Sequence, residues 1–317
     1  MQREGGSALL EPRAASAAPL PAQRDAAAVA AGLLRTMRPQ QWTKNVFVFA
    51  GVVFAGQFLY LGDLVRAVAA FGVFCLLSSC VYFINDCADR ERDRLHPRKR
   101  LRPLASGLLR PVEGIAAAAV LGCAGLAGAL ALGPDLLWVS AAYLGLNLLY
   151  SFWLKQVPLW DALTVAGGFV LRAAAGTAAL GIAASPWLLV CTYLVALYLS
   201  LGKRWADAVN LAPEERAYRR AALLYEPELL RLFMQVSMAS TLISYALYAV
   251  QGPHSPWILL TLPFVIYGLF HYQHMVESRA LGGSPENAIF QDRAFLLNGA
   301  GYAVAVIAVL VFGGHHH

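Results

Sequence analysis

The chain has 317 residues, 58% of them hydrophobic and only 14% charged, with a mean hydropathy of +0.54 and a formal net charge of +6. Soluble domains carry about 25% charged and roughly 45–50% apolar residues, so these figures exclude an ordinary cytosolic enzyme. The net charge is too diffuse to mark a charged disordered tail, and five cysteines in a chain of this length make no disulfide framework.

Residues 1–30 are rich in alanine with scattered proline and arginine, and read as a disordered or loosely helical leader. They hold no unbroken apolar core followed by a cleavage site, so no signal peptide is expected. A bilayer core about 30 Å thick takes roughly 17–25 mainly apolar residues per helix. Such blocks follow at Val46–Leu61, Leu64–Ile84, Val112–Leu132, Leu136–Leu154, Ala162–Ile182, Trp187–Leu201, Leu232–Val250, Trp257–Val276 and Ala294–Phe312. Residues 31–312 are therefore expected to form one all-α, polytopic, nine-helix membrane domain. Gly122, Gly125, Gly128 and the pair Gly167–Gly168 put small residues inside these helices, which permits close packing within the bundle or self-association. Residues 313–317, Gly-Gly-His-His-His, look like a tag remnant and carry no metal argument. The other histidines lack metal-ligand spacing, and the five cysteines read as free thiols.

Nine spans also sort the charge. All but two of the 25 basic residues, Arg66 and Arg172, fall before helix 1 or in the even-numbered links, on one side of the membrane. A wrong helix count would scramble that alternation. Because Lys and Arg mark cytoplasmic loops, the N-terminus is expected in the cytoplasm of a bacterial inner membrane and the C-terminus across it.

The chemistry falls on the same side. Asn85-Asp86-Cys87-Ala88-Asp89-Arg90-Glu91-Arg92-Asp93 closes the second block, with Asp86, Asp89 and Asp93 spaced i, i+3, i+7 along one helix face. Oxygen ligands clustered in this way suit Mg²⁺, which bridges one or two carboxylates to substrate phosphates. The plainer reading is a solvated, salt-bridged helix end, since Arg90, Arg92 and Arg94 interleave with the acids. Against it, the acids lead directly into His96-Pro97-Arg98-Lys99-Arg100-Leu101-Arg102-Pro103, a basic, proline-punctuated loop suited to a diphosphate.

The pattern Asn85-Asp-x-x-Asp-x-x-x-Asp93, with the His96–Gly107 stretch behind it, resembles the first aspartate-rich motif of the UbiA-type superfamily of intramembrane prenyltransferases. The resemblance runs from about Arg38 to Arg293 and implies a nine-helix bundle, Mg²⁺ and a diphosphate leaving group. Prenyl-diphosphate-using members carry a second aspartate-rich motif after helix 6. Here that place holds Lys203-Arg204-Trp205-Ala206-Asp207, two cations and one acid, which suits a phosphate better than a second metal. Arg38–Asn45, Tyr150–Lys155, Gly168–Gly176 and Gly283–Glu286 with Asp292-Arg293 are similar to the branch that moves 5-phosphoribose from phosphoribosyl pyrophosphate to a polyprenyl (decaprenyl) phosphate. That branch feeds the lipid-linked arabinose donor of cell-wall arabinan. Asp207 stands where the branch usually has glutamate, and Phe270-His271 replaces a more basic pair.

The resemblance implies roles. Asp86, Asp89 and Asp93 would hold Mg²⁺ and diphosphate, and Asn85 the ribose or a metal-bound water. Lys44, Arg98, Lys99, Arg100, Arg102, Lys155, Arg172, Lys203 and Arg204 are candidates for phosphate oxygens. Tyr150, Asp161 and Asp207 are candidates for support. Each has a plainer reading: Lys155 as a topology signal, Tyr150 as an aromatic belt, Arg172 as a snorkelling or ion-paired cation. Arg172 is expected to face a polar cavity, because an arginine at the bilayer centre is costly. Arg216, Arg219 and Arg220 read as a solvated segment on an anionic leaflet. No nucleic-acid partner is expected. The competing functions are prenyl transfer to an aromatic or haem acceptor, and non-catalytic carriage of polyprenyl phosphate.

Overall fold

The computed structural model describes residues 25–210, 225–252, 256–278 and 292–312. Most of the leader, the Arg216–Arg220 segment, the Gly283–Glu286 motif and the Gly313–His317 end lie outside them. Among the described residues there are helices and turns and no strand.

Helix α1 (Ala26–Met37) starts within the segment expected as leader, because Asp25 caps it by accepting a hydrogen bond from the Ala28 amide. The first apolar block does not make one long helix. A 3-10 turn (Pro39–Val46) runs into α2 (Phe47–Phe54), only eight residues long, and a shorter turn follows at Gln57–Leu59. Gly56 stops α2 because its φ of +71° is open to glycine and strained for other residues. Helix α3 (Leu61–Ala88) runs unbroken for 28 residues. At 1.5 Å per residue it is about 42 Å long, more than the roughly 30 Å hydrocarbon core, so its last turns carry Asn85 and Asp86 beyond the apolar layer. Helix α4 (Arg90–Leu95) continues it after a break at Asp89.

Helices α5 (Pro111–Leu132) and α6 (Pro134–Phe152) each begin on a proline, which lacks the N–H that a first helical turn leaves unused. Then come α7 (Trp160–Leu180), α8 (Pro186–Asn210), α9 (Pro227–Gln251), a 3-10 turn (Pro256–Thr261), α10 (Leu262–Glu277) and α11 (Arg293–Phe312). Six of these, α3, α5, α7, α8, α9 and α11, are long and apolar enough to cross a membrane. The other three blocks hold α2, the 19-residue α6 and the 16-residue α10 behind its 3-10 turn.

Two packed groups make up the bundle. In one, Phe74, Leu77, Tyr143, Ala175 and Val48 bury one another between α2, α3, α6 and α7. In the other, Tyr198, Leu230, Met234, Tyr272 and Val276 do so between α8, α9 and α10. Helices α7 and α8 pack together and join the groups. The glycines of α5 face inward. A Cβ at Gly125 would lie 2.6 Å from Leu77 Cδ2, and one at Gly122 3.2 Å from Cys80 Sγ. They are spent on the α3–α5 contact. The five cysteines are free thiols.

An apolar cavity of about 350 Å³ lies where α2, α8, α9, α10 and α11 converge. Phe47, Phe54, Leu188, Val195, Leu269 and Phe295 line its walls, together with the polar Thr241, Tyr245 and Tyr302. There the Tyr245 hydroxyl meets Thr261 Oγ1 at 2.5 Å and the Tyr302 hydroxyl at 3.3 Å.

Candidate active site

Antiparallel packing brings the end of α3, the start of α7 and the end of α8 to the same end of the bundle. Most of the charged side chains meet there. At 100° per residue, Asp93 lies about 20° round the helix axis from Asp86, whereas Asp89 lies about 60° away. In the structure the outer two do fall together, although the helix is interrupted at Asp89. Asp86 and Asp93 are both buried and share one guanidinium: Arg102 Nη1 is 3.1 Å from Asp86 Oδ1 and 2.7 Å from Asp93 Oδ2. Asp89 turns the other way, and both of its oxygens accept from Lys155 Nζ, at 2.8 and 2.9 Å. The three aspartates thus do not form a single ligand face. They make a pair and a separate carboxylate, because α3 breaks at Asp89 and the loop after α4 folds Arg102 back between the outer two.

That loop is fastened by backbone acceptors. Arg90 Nε donates to the Leu104 carbonyl and Arg94 Nε to the Ala105 carbonyl, and Leu104 and Leu109 are fully buried beneath them. Lys99 Nζ stands 3.9 Å from Asp93 Oδ1. Burial pushes the Asp93 carboxyl above the usual carboxylate range, against the opposing pull of Arg102 and Lys99. Arg98 and Arg100 do not join the cluster. Both are exposed and form no ion pair among the described residues.

Arg38 completes the cluster from the opposite side, with Nη2 2.6 Å from Asp86 Oδ1 and its guanidinium 4.8 Å from the centre of the Tyr82 ring. It adopts φ +54° at the turn from α1 into the 3-10 segment. The charge pattern placed Arg38 among residues that set topology, and nothing in the one-dimensional spacing separated it from its basic neighbours. Lys44, six residues on, is half-buried in the same segment.

A second grouping lies across α7 and α8. Arg204 Nε is 2.5 Å from Asp161 Oδ2, and its Nη1 donates to the Ser200 carbonyl and hydroxyl. The Tyr225 hydroxyl donates to Asp161 Oδ1 at 2.7 Å and accepts from the Leu159 amide. Burial and its bond to Asp161 push the Tyr225 phenol up to about 12, so it keeps its proton. Arg204 is thus paired with a carboxylate here, as Arg38, Arg102 and Lys155 are. Tyr150 sits between the two groupings, within electrostatic reach of Arg204, Asp161 and Asp89. Lys203 and Asp207 are half-buried on the last turns of α8.

Arg172 overturns the cavity expectation. Its side chain is buried, and Nε, Nη1 and Nη2 donate to Asn45 Oδ1, the Gly168 carbonyl and the Tyr143 hydroxyl, each at 2.8 Å. Helix α7 turns it inward onto α6 and the 3-10 segment.

Among the described residues, no three His, Cys, Asp or Glu side chains stand together as a metal cage. The residues nevertheless fit Mg²⁺ bound in part by substrate. Asp86 and Asp93 already hold one cationic nitrogen between them, and Asn85 Oδ1 is a buried acceptor without a hydrogen-bond partner. Magnesium needs only one or two protein carboxylates when phosphates complete its shell.

These features define an all-helical membrane protein whose polar chemistry is gathered at one end of a bundle that also encloses an apolar cavity. The chain belongs to the UbiA prenyltransferase family, whose profile matches residues 45–313. It is 33% identical over 290 residues to the decaprenyl-phosphate phosphoribosyltransferase of Mycobacterium tuberculosis, covering 89% of this chain and 95% of that one. It is 34% identical over 276 residues to the enzyme of the same name from Corynebacterium glutamicum, covering 84% of this chain and 82% of that one. In fold it is similar to a UbiA homolog from Archaeoglobus fulgidus solved with DMAPP and Mg²⁺. That match has a TM-score of 0.70 at 20% identity, over 89% of this chain and 99% of that one.

Proposed function

We propose that this protein transfers 5-phosphoribose from phosphoribosyl pyrophosphate to a polyprenyl phosphate of the decaprenyl type and releases diphosphate. The reading has Mg²⁺ as cofactor and nine spans in a bacterial inner membrane, with the N-terminus and the site cytoplasmic. Its place is on the route to the lipid-linked arabinose donor for cell-wall arabinan. One observation carries it: the end of α8 presents Lys203 and Arg204, with Arg204 bound to Asp161, where prenyl-diphosphate users bring a second aspartate cluster. The similarity to phosphoribosyltransferases along nearly their whole length supports the same choice.

In this reading Asp86 and Asp93, with Asn85, hold the metal, which when bound neutralises charge on the departing diphosphate. Arg38, Arg102 and Lys155 now satisfy carboxylates at 2.6–3.1 Å, and each would pass part of its hydrogen bonding to donor phosphate oxygens. Lys44, Lys99 and Lys203 stand at the same end. Asp161 and Ser200 keep Arg204 oriented, and Tyr150 lies between the halves. A phosphate oxygen of the acceptor attacks the anomeric carbon of the ribose. The bond from that carbon to the diphosphate breaks, and its electron pair leaves with the diphosphate. A phosphate monoester, with its second pKa near ~6, is already mostly dianionic at neutral pH, so no side chain need take a proton. The apolar cavity suits the first isoprene units of the acceptor, the rest of the chain lying in lipid.

The test is transfer of labelled phosphoribose to polyprenyl phosphate by purified protein with Mg²⁺. Product that depends on both substrates and on Asp86 supports the reading. Consumption of a prenyl diphosphate with an aromatic or haem acceptor, and none of phosphoribosyl pyrophosphate, overturns it. Lipid binding or movement that survives Asp86→Asn and Asp89→Asn, without turnover, points instead to a carrier.

A further inference from the structure

We propose that Arg172 is a positioning residue that pins the Pro39–Val46 segment against α3 and so sets the placement of Arg38 at the carboxylate end of that helix. An arginine within a bilayer-length helix is expensive and persists only with partners. The partners here are all neutral: an amide oxygen, a backbone carbonyl and a phenol, with the guanidinium 4.8 Å from the Tyr143 ring centre and 5.3 Å from that of Phe169. A planar fork with donors on three nitrogens reaches three separate pieces of chain at once, whereas a lysine gathers its three donors on one atom.

The critical partner is Asn45, fully buried at the end of the 3-10 segment. Its Oδ1 accepts from Arg172, while its Nδ2 donates to Ser78 Oγ and Cys75 Sγ on α3. Trp42 Nε1 donates to Ser79 Oγ, whose single proton lies between the Cys75 carbonyl at 2.7 Å and the Met37 carbonyl at 3.2 Å. The segment is therefore stitched to α3 at residues 75–79, about 10–17 Å along the axis from Asp86. One turn further along α7, a Cβ at Gly176 would fall 1.9 Å from the Val48 carbonyl oxygen, so α2 rests directly on α7 backbone. The polar contact at Arg172 and the steric contact at Gly176 together make α7 a rail for the whole Pro39–Phe54 stretch. At its outer end that stretch delivers Arg38, in a left-handed conformation, to Asp86 at 2.6 Å. A 3-10 segment of eight residues is held less firmly by its own hydrogen bonds than an α-helix, and the Arg172 network adds a constraint from α7.

The kinetic arm of the test rests on the phosphoribosyl-transfer reading, and the exchange arm does not. Amide hydrogen exchange by mass spectrometry in micelles is measured for the wild type, Arg172→Gln, Arg172→Lys and Asn45→Ala. The expected result is at least tenfold faster exchange at residues 39–46 in all three variants, with α5 and α9 protected as in the wild type. Donor KM should rise about tenfold with a smaller fall in kcat, and Arg172→Gln should add less than twofold to Arg38→Ala. Unchanged exchange at residues 39–46 together with a raised KM would overturn the proposal in favour of direct substrate contact. So would a Lys variant with wild-type KM and fast exchange. Protection lost throughout the bundle would overturn it in favour of a general folding role. If the wild type transfers no phosphoribose, the functional reading falls while the exchange result still decides the pin.

Discussion

Arg102 offers the sharpest test of the site, because one guanidinium nitrogen serves two buried carboxylates. At an effective dielectric of about 20, unit charges about 3 Å apart attract by roughly 5–6 kcal/mol, so each contact is individually strong before desolvation is counted. Removing one partner of a buried pair costs about 3–5 kcal/mol, because the other charge is left uncompensated. Two features lower that figure here: Asp86 keeps Arg38 at 2.6 Å, and 28% of the Arg102 side chain is in solvent, where screening weakens ion pairs. We therefore expect Arg102→Ala to lose about 2–3 kcal/mol of stability, nearly all of it through Asp93, whose other cation, Lys99, is 3.9 Å away. The pH dependence has a definite sign. The Asp93 carboxyl already lies above its ordinary value because of burial, so its stability contribution is fully present below the unfolded pKa and is lost as pH rises through the folded one. Deleting Arg102 raises the folded value further. The variant should then lose stability more steeply with rising pH, while its activity recovers as pH rises and Asp93 ionises. Thermal unfolding in micelles from the ordinary carboxylate range up to neutral pH, alongside the phosphoribosyl-transfer rate, measures both. An Arg102→Ala protein that matches the wild type in Tm and donor KM across that range would refute the reasoning.

Other outcomes follow from single contacts. Lys155→Gln should raise donor KM by about tenfold with little change in Tm, since the 2.8 Å contact to Asp89 lies at a part-exposed site where an ion pair contributes only about 0–1 kcal/mol; an unchanged KM in steady-state kinetics would count against a donor role. Gly176→Ala should cost about 1–3 kcal/mol or more, because the added carbon meets the Val48 carbonyl and not a side chain that can turn away. Its Tm should fall well below that of Gly145→Ala, a substitution into open space. Arg98→Ala and Arg100→Ala should each change donor KM less than twofold, since both side chains are exposed and outside the ion-pair network. Chelation of divalent metal should abolish turnover without unfolding the protein by circular dichroism, and added Mg²⁺ should restore it.

Much of this protein is legible in one dimension because lipid is a uniform solvent. Blocks of apolar residues must be helices there, since no water satisfies the backbone, and the run from Asn85 to Asp93 announces itself by composition alone. The same reasoning extended Val46–Leu61 too far. Apolar content says nothing of where a backbone stops, and Gly56 with the 3-10 turns around it ends α2 after eight residues.

What the sequence by itself determined is the all-helical architecture, the gathering of charge at one end and the residue types that meet there. Pairing was decided only in three dimensions. Asp86 and Asp93 share Arg102 while Asp89 takes Lys155, because the loop after α4 folds back onto the outer two acids and the link between α6 and α7 brings its lysine to the third. Arg38 enters the cluster from 48 positions away, and Arg172 leaves the substrate side for Asn45, 127 positions away. Local spacing fixes which residues share a helix face. The partner across the gap depends on how helices distant in sequence pack, and in this bundle that is set by close backbone contacts such as Gly176 on Val48.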